Sequence, residues 1–368
     1  MKKVIICSES PANTGGVRVW ARTLMNFYSE HGDEMAFKLY HFSTTRSTPL
    51  SQFVPWHSKW CSIIKDYWKL PFKLIKVIRS ENSDVVHIVS VGNLGLLRDI
   101  LFLLIAKLYH NKGVVHFHFG RIPAIRKSKG VEWYMLYIVL KMANGIIVLD
   151  QKSFESVSDI IPSKLFKIGN SYSDELNYFR AKELQRSYRK ILFVGHVVPE
   201  KGIMELLEAV CEIDKIDLYV YGPTNDLMMK SIDEFLLKHP FAGNLFFKGL
   251  KPSSVIYEEL SNSGLFVLPT YTEGFPLIIM EAMVCGCPII TTPVGAIEEI
   301  LQLDKELLGY LVPVKDVQSL KRQVMYCLDK REEAFEKALK ARKKALKMYS
   351  TSTMVNHLEN MWESVLNQ

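Results

Sequence analysis

The chain has 368 residues, of which 48% are hydrophobic and 23% charged, a globular composition that excludes an intrinsically disordered protein. Lys and Arg outnumber Asp and Glu by 46 to 39, which gives a formal net charge of +7. A surplus of this size suits anionic lipid or a phosphorylated substrate and does not require nucleic acid as a partner. At roughly 100–200 residues per domain, the length predicts two or three domains.

The first residues and the apolar stretches bear on the cellular compartment. The apolar run after Met1, Lys2 and Lys3 covers only residues 4–7, which is too short for a signal peptide. The apolar stretches at 94–109 and 131–149 are interrupted by charged residues, whereas a spanning helix needs about 20 predominantly apolar residues. The 6 scattered Cys predict reduced thiols. We therefore expect a cytoplasmic chain.

Short apolar runs and helical periodicity alternate along the whole sequence. In the first half we predict strands at 3–7, 36–41, 84–90, 113–119 and 145–149, with helices at 17–31, 72–80, 94–111 and 132–143. In the second half we predict strands at 190–195, 216–221, 245–249, 264–269, 288–291 and 309–312. The helices there are predicted at 202–211, 226–238, 255–263, 277–285 and 317–329. Such alternation predicts an α/β fold with right-handed crossovers.

The polar stretch at 171–189 lacks a long apolar run and separates the two halves. We therefore predict two doubly wound domains, one covering residues 1–180 and the other residues 186–348. One or two basic helices are predicted over 332–368. Doubly wound domains bind ligands beyond the carboxyl ends of their strands.

The segment at 265–283 carries the most specific signal. A strand ends at Pro269, Gly274 allows the backbone to approach a ligand closely, and Pro276 is suited to the first turn of a helix. The amides of Phe275 and Leu277 would then lie at a helix N-terminus, where phosphate binds. The motif Glu273-Gly274-Phe275-Pro276-(x)4-Glu281 and the sequence that follows it to residue 299 resemble family-4 retaining glycosyltransferases of GT-B fold.

The resemblance implies two Rossmann-like doubly wound domains facing across a cleft, with a C-terminal helix, about 350–368, packed on the first domain. It implies that Glu273 lies beside the donor sugar and that Glu281 hydrogen-bonds the nucleotide ribose. The backbone of Gly274, Phe275, Pro276 and Leu277 would cradle the diphosphate and the sugar.

The resemblance also assigns residues near the start of the second domain. Lys201 would neutralise the charge that develops on the leaving nucleotide. His196 stands where many family members carry Arg, and histidine lacks the permanently charged bidentate fork of that residue.

In the first domain the loop Thr14-Gly15-Gly16-Val17 is not a G-x-G-x-x-G motif, which disfavours a dinucleotide enzyme. By resemblance, Gly16 contacts the donor phosphate and Gly15 lies on the acceptor side. His116 and His118 end a strand where the family keeps a histidine near the anomeric carbon. We favour His118 because it is closer to the carboxyl end, and a purely structural histidine remains the alternative.

Several motifs are absent from the sequence. There is no D-x-D, P-loop, H-E-x-x-H or G-x-S-x-G motif, and Cys285-Gly286-Cys287 lacks the second ligand pair of a zinc site. We therefore expect no metal and no cofactor. The resemblance implies a UDP- or GDP-linked sugar as the donor substrate.

Two basic stretches suggest a membrane partner. Residues 56–79 combine Lys and Arg with Trp, Tyr and Phe, as in an interfacial helix, although a solvated helix face is an equal alternative. Arg121, Arg126 and Lys127 follow His118 and are candidates for the acceptor side. We expect peripheral attachment to the inner face of the cytoplasmic membrane and no nucleic-acid partner. The sequence does not indicate an oligomeric state.

The sequence thus predicts a retaining, metal-independent hexosyltransferase of bacterial surface-polysaccharide assembly, acting on a lipid-linked or polysaccharide acceptor. The alternatives are a nucleotide-sugar epimerase or a phosphorylase of the same fold, or a catalytically silent nucleotide-binding or scaffold protein.

Overall fold

The computed structural model describes residues 1–10, 16–45, 56–178 and 186–368, with side chains described throughout except at 56–68 and 178. The chain divides into two compact units. The first unit comprises residues 1–170 and 351–368, and the second comprises residues 171–350. The division falls after Asn170 rather than at residue 180, because Tyr172 already bonds within the second unit, its amide donating to Tyr349 O at 3.1 Å.

The first 170 residues alternate strands with helices. In chain order they form β1 Lys2–Ser8, α1 Gly16–His31, β2 Phe37–Ser43, α2 Trp56–Glu81, β3 Val85–Ser90, α3 Gly95–Leu108, β4 Lys112–Phe117, α4 Ile122–Ser128, α5 Val131–Met142, β5 Gly145–Val148, α6 Gln151–Val157 and β6 Leu165–Lys167.

The rest of the chain continues the alternation and ends in three helices. It forms β7 Ser187–Val194, α7 Ile203–Val210, β8 Asp217–Tyr221, α8 Asp226–Lys238, β9 Asn244–Gly249, α9 Ser253–Asn262, β10 Ser263–Leu268, α10 Leu277–Val284, β11 Ile289–Thr291, α11 Ile297–Leu301, β12 Gln302–Leu303, β13 Glu306–Leu307, β14 Tyr310–Leu311, α12 Val317–Asp329, α13 Arg331–Met348 and α14 Thr351–Leu366.

Each unit is built on a six-stranded sheet. The strand order is β2-β1-β3-β4-β5-β6 in the first unit and β14-β11-β10-β7-β8-β9 in the second. Neighbouring strands within both sheets are parallel, and the separate pair β12 and β13 is antiparallel. The prediction of an α/β fold is therefore confirmed.

Helices cover both faces of the first sheet because alternate strand residues point to opposite sides. Ile5 and Cys7 of β1 belong to one buried cluster together with residues of α2, α3, α4 and α5. Val4 and Ile6 belong to the other cluster, which contains residues of α1 and α14. The C-terminal helix is thus part of the first unit's core.

The structure differs from the predicted elements in several places. Helix α2 begins at Trp56 rather than at residue 72 and runs through Pro71. The short elements β6, α4, α6, α11 and the β12–β13 pair were not predicted. They contain few residues, so neither periodicity has room to repeat. None of the described helices is long and apolar enough to cross a membrane.

Candidate active site

The loop between β10 and α10 holds the glutamate motif in the second unit. Strand β10 is buried from Leu265 to Leu268. The chain leaves the sheet at the carboxyl end of this strand, and the loop that follows leads into α10. Helix α10 begins at Leu277, and Pro276 precedes it in an extended conformation without a side-chain cap. The first amides of a helix have no intrahelical acceptors, so they remain available to an anionic ligand. Pro276 is thus the N-cap and not the first helical residue as predicted.

Hydrogen bonds fix this loop to its neighbours. The amide of Tyr271 donates to Glu200 O at 2.8 Å, which ties the loop to the segment that follows β7. The hydroxyl of Thr292 donates to Thr270 O at 2.5 Å. The amide of Ala296 donates to Gly274 O at 2.9 Å. The loop is therefore held from two neighbouring strand ends before any ligand binds.

Lys201 and Glu273 form an ion pair in this loop region. Lys201 ends the short helix Pro199–Lys201, and its ammonium group contacts Glu273 Oε1. Only 26% of the Lys201 side chain and 13% of the Glu273 side chain are exposed. Glycine at position 202 lets the segment that carries Lys201 pack against the end of β10, because a Cβ there would lie 2.1 Å from Pro269 O. The structure thus brings together two residues that are 72 positions apart in the sequence.

Gly295 supports the same loop and was not predicted as a site residue. Its φ is +57°, and a Cβ at this position would lie 2.3 Å from Glu273 O and 2.7 Å from Gly274 O. Glycine alone meets both requirements without strain. The signal in the sequence was the presence of two turn-favouring residues, Pro293 and Gly295, directly after a predicted strand.

Glu281 lies one turn into α10 and is largely buried. Burial raises the pKa of its carboxyl group to about 7, and the Tyr257 hydroxyl, which donates to Glu281 Oε1 at 3.5 Å, acts in the opposite direction. Tyr257 belongs to α9, and the sequence did not single it out. Near neutral pH this carboxyl group therefore changes its protonation state. His196 lies two residues beyond the end of β7 and is exposed.

The predicted histidine lies at the carboxyl end of β4 in the first unit. The amide of His118 donates to Ser90 O at 2.9 Å, and its ring centroid lies 4.1 Å from that of His116 and 5.0 Å from that of Trp20. His116 is fully buried, whereas His118 is partly exposed. Burial lowers the pKa of His118 to about 3, so the ring is neutral at physiological pH. Of the two histidines, only His118 has solvent-accessible surface, although its Nε2 atom is buried.

A third histidine completes this cluster. His87 of β3 is fully buried, and Trp362 of α14 donates its indole N–H to His87 Nδ1 at 3.1 Å. Burial also lowers the pKa of His87 to about 3. Among the described residues, no group of three His, Cys, Asp or Glu side chains is arranged to hold a metal ion. The cluster is therefore a packed set of neutral aromatic rings.

The candidate acceptor residues have different surroundings. Arg121 Nη1 donates to Glu132 Oε2 at 2.6 Å, and its guanidinium lies 5.0 Å from the centroid of the Phe119 ring. Arg126 makes a bidentate pair with Asp159, so its charge is already compensated. Lys127 is exposed.

Of the two candidate loop glycines, one is described. Gly16 begins α1, and a Cβ added there would meet no atom of the described residues within 4 Å. The described surroundings of Gly16 therefore give no steric reason for glycine, and its contact with a donor phosphate stays a prediction. Gly15 lies outside the described residues.

Comparisons with known proteins agree with this architecture. Residues 174–348 match the family model for glycosyl transferases group 1. The capsular polysaccharide biosynthesis glycosyltransferase CapM of Staphylococcus aureus is 22% identical over 399 aligned positions, which cover 99% of this chain and 97% of CapM.

Two solved structures share the fold along their full length. Sucrose-phosphate synthase of Thermosynechococcus elongatus superposes with a TM-score of 0.78 at 15% identity, covering 99% of this chain and 98% of the other. HepE of Anabaena, solved with UDP-glucose, superposes with a TM-score of 0.70 at 13% identity, covering 99% of this chain and 100% of the other. Residues 174–348 therefore belong to the glycosyl transferases group 1 family, and the chain is a glycosyltransferase with the GT-B fold.

Proposed function

We propose that the chain transfers a hexosyl unit from a UDP- or GDP-linked donor to a hydroxyl group of a lipid-linked or polysaccharide acceptor, with retention of anomeric configuration and without a metal ion. The observation that carries the proposal is the Lys201–Glu273 pair beside the start of α10. The UDP-glucose bound by HepE supports the nucleotide-sugar donor, and the capsular polysaccharide role of CapM supports the acceptor class.

The ion pair suggests how the donor is bound. The Lys201 ammonium group is paired with the Glu273 carboxylate. A diphosphate at the start of α10 would compete for the Lys201 ammonium group, because it carries more charge than one carboxylate and also receives the first amides of the helix. Glu273 would then be released to accept hydrogen bonds from sugar hydroxyls. Donor binding and sugar recognition would be coupled by this exchange.

Glu281 is the proposed contact to the ribose. A carboxylate can accept hydrogen bonds from two neighbouring hydroxyl groups, and a partly buried one does so with little competition from water. Because its pKa is raised to about 7, a fraction of the free enzyme at neutral pH holds the protonated form. Binding of the nucleotide would then favour loss of that proton.

The proposed chemistry needs no protein nucleophile. The acceptor oxygen forms a bond to the anomeric carbon on the face from which the nucleotide leaves, and the bond between that carbon and the phosphate oxygen breaks. The leaving phosphate oxygen takes the acceptor proton. Lys201 and the helix amides stabilise the negative charge on that phosphate. His118, being neutral, would contribute a hydrogen bond and not a charge.

A thermal-shift screen with UDP, GDP, ADP and their sugars, in the presence of a chelator, tests the donor. A ligand present at 100 times its Kd stabilises the folded protein by about 2.7 kcal/mol, so the cognate nucleotide should raise the Tm clearly. We expect UDP or GDP to do so and Glu281→Gln to reduce the shift, while Glu298→Gln, an exposed glutamate beyond the motif, leaves it unchanged.

The reaction itself is tested with the cognate donor and a panel of lipid-linked and polysaccharide acceptors. We expect an α-linked product from an α-linked donor, identified by NMR of the anomeric proton. Conversion of the donor to another sugar without any acceptor would instead indicate an epimerase. Tight nucleotide binding without turnover across the panel would indicate a silent homologue.

A further inference from the structure

Helix α3 exposes a continuous ridge of leucines on the first unit. Leu97, Leu101, Leu104 and Leu108 follow one another at spacings of four, three and four residues, so they lie on one face of the helix. Each is between 44% and 72% exposed. The opposite face of α3 packs on the sheet through residues such as Phe102 and Ala106. Scattered exposed leucines are ordinary, whereas an aligned row of them marks an interaction surface.

The two helices beside α3 extend this apolar surface. Helix α3 contacts α2 on one side and α5 on the other. Helix α5 exposes Val131, Tyr134, Tyr137 and Ile138, and the described part of α2 exposes Phe72. Tyrosine is enriched where a protein meets the boundary between lipid and water, because its ring is apolar and its hydroxyl is polar.

The charges around this surface are mostly basic. Every exposed charged side chain described on these three helices is basic: Lys69, Lys73, Lys76, Arg79, Lys107 and Lys141. Of the acidic residues, Asp99 is buried beside Arg98, Glu132 pairs with Arg121, and Glu81 at the end of α2 is half-buried. The surface therefore combines apolar side chains with uncompensated positive charge.

We propose that the outer surface of α2, α3 and α5 docks on an anionic lipid bilayer, with the α3 leucine ridge entering the interface and the lysines contacting lipid headgroups. Apolar insertion together with attraction to anionic lipid is how amphipathic surfaces bind membranes. A second copy of the chain fits less well, because a symmetric interface would bring two basic rims together. Charge complementarity thus selects a bilayer over self-association.

This proposal deepens the proposed function by naming the surface that would bind the membrane, and it rests on that function only in expecting a lipid-linked acceptor. The proposed membrane-binding surface also differs from the one that the sequence predicted. The sequence pointed to residues 56–79 and to Arg121, Arg126 and Lys127. The structure adds the α3 ridge, of which the sequence showed only an apolar stretch, and Arg126 is occupied by Asp159.

Vesicle co-sedimentation of the full chain tests the proposal without donor or acceptor. We expect binding to a roughly 2:1 mixture of phosphatidylcholine and phosphatidylglycerol, weakened by salt, and much less binding to phosphatidylcholine alone. The double variant Leu101→Gln/Leu104→Gln should bind the mixed vesicles about tenfold more weakly or worse. Its control is Leu227→Gln/Leu237→Gln, which changes two leucines on α8 of the second unit that are even more exposed than Leu101 and Leu104.

A charge variant separates the two contributions. Lys73→Gln/Lys76→Gln should weaken binding to the mixed vesicles about thirtyfold at low salt and leave binding to neutral vesicles unchanged. Lys230→Gln/Lys238→Gln on α8 is the control. All of these side chains are exposed, so the variants should melt at the wild-type temperature.

Three results would overturn the inference. These are failure of the wild-type chain to bind the mixed vesicles, wild-type binding by Leu101→Gln/Leu104→Gln, and a dimer in light scattering that this double variant converts to a monomer. The last result would identify a second copy of the chain as the partner. Failure of UDP and GDP to bind in the thermal-shift screen would refute the proposed function and leave the vesicle result intact.

Discussion

At the scale of single residues, the site is defined by polar groups whose surroundings change what they can do. The charges of Lys201 and Glu273 compensate each other. Glu281 has its pKa raised to about 7 by burial, and His118 has its pKa lowered to about 3 by the same cause. Burial thus favours the neutral form of both groups, as desolvation always does.

Removing either member of the ion pair should impair transfer. We expect Lys201→Ala and Glu273→Gln each to lower kcat/KM by about 10²–10³, because each removes one group that contacts charge or hydroxyls in the transition state. Lys305→Ala and Glu298→Gln, both exposed, serve as controls. Steady-state kinetics with the cognate donor provides the measurement. Full activity in both Lys201→Ala and Glu273→Gln would show that the pair is not part of the site.

Glu281 should lower the stability of the free enzyme above neutral pH. Its folded pKa is about 7 and its ordinary value is 4.5. Between these values the folded state binds more protons than the unfolded state, so the free energy of unfolding falls as the pH rises. Glu281→Gln removes this cost and should be more stable than wild type at pH ~8, by on the order of 2 kcal/mol, with no advantage at pH ~4.

The same substitution should weaken nucleotide binding. Urea unfolding at the two pH values measures the first effect, and a thermal-shift titration with UDP or GDP measures the second. A variant that loses stability at high pH, or that binds the nucleotide as well as wild type, would contradict the assignment. A gain in stability with a loss of affinity is the signature expected of a functional buried carboxyl group.

At the scale of secondary-structure elements, the site depends on loops that neighbouring strands hold in place. The loop before α10 is bonded to the segments that follow β7 and β11. Arg186 joins the other ends of β10 and α10, its guanidinium donating to Leu260 O at 2.9 Å and Ser263 O at 2.6 Å before and at the start of β10, and to Cys285 O at the end of α10. These carbonyls lie at helix ends, where intrahelical donors run out.

Replacing Gly295 should lower the activity more than replacing Gly249, a glycine with a similar φ. Gly295 and Gly249 have φ of +57° and +64°, but a Cβ at Gly249 meets nothing within 4 Å. Both Gly295→Ala and Gly249→Ala should lose about 1–2 kcal/mol of stability from the backbone conformation. Gly295→Ala should in addition displace the backbone at Glu273 and lower kcat/KM tenfold or more, since small misplacements cost about 10²-fold.

Stability and kinetics of the two variants, measured side by side, separate these effects. If both variants keep wild-type activity, the close approach of Gly295 to Glu273 has no catalytic consequence. If both lose activity to the same extent, the loss follows from lower stability alone.

At the scale of the whole molecule, the chain ends inside the unit in which it begins. Helix α14 contributes Val355, Leu358 and Trp362 to the core that α1 shares. The indole N–H of Trp362 donates to His87, next to the histidines of β4. The core of the first unit is therefore incomplete without residues of α14.

Truncating Trp362 should destabilise the first unit. We expect Trp362→Ala to cost about 3–5 kcal/mol, because it opens a cavity in a fully buried site. Trp362→Phe, which retains most of the volume, should cost less. Trp133→Ala, at a half-buried tryptophan of α5, is the comparison for the loss of the same side chain outside the core. Equal destabilisation by Trp362→Ala and Trp133→Ala in denaturant unfolding would show that α14 is not integral to the unit.

Most of the fold followed from local patterns. Buried parallel strands read as continuous apolar runs, so eleven of the described strands were predicted close to their observed bounds, as were helices such as α1, α8 and α12. The helix at α2 was predicted too short, and three-residue β6 was missed, because a periodic signal needs several repeats to emerge. The glutamate motif located the second unit's site because its residues are close in sequence.

The sequence by itself determined the α/β architecture, the family and the candidate residues Glu273, Glu281, Lys201 and His118, since these rest on runs and spacings along the chain. The tertiary structure decided which groups meet: the Lys201–Glu273 pair, the support of that loop by Gly295, the contact of Tyr257 with Glu281 and the solvent-facing leucines of α3. These depend on contacts between distant segments and on which face of a helix the sheet covers. Neither is encoded in local spacing, because burial is a property of the assembled layers.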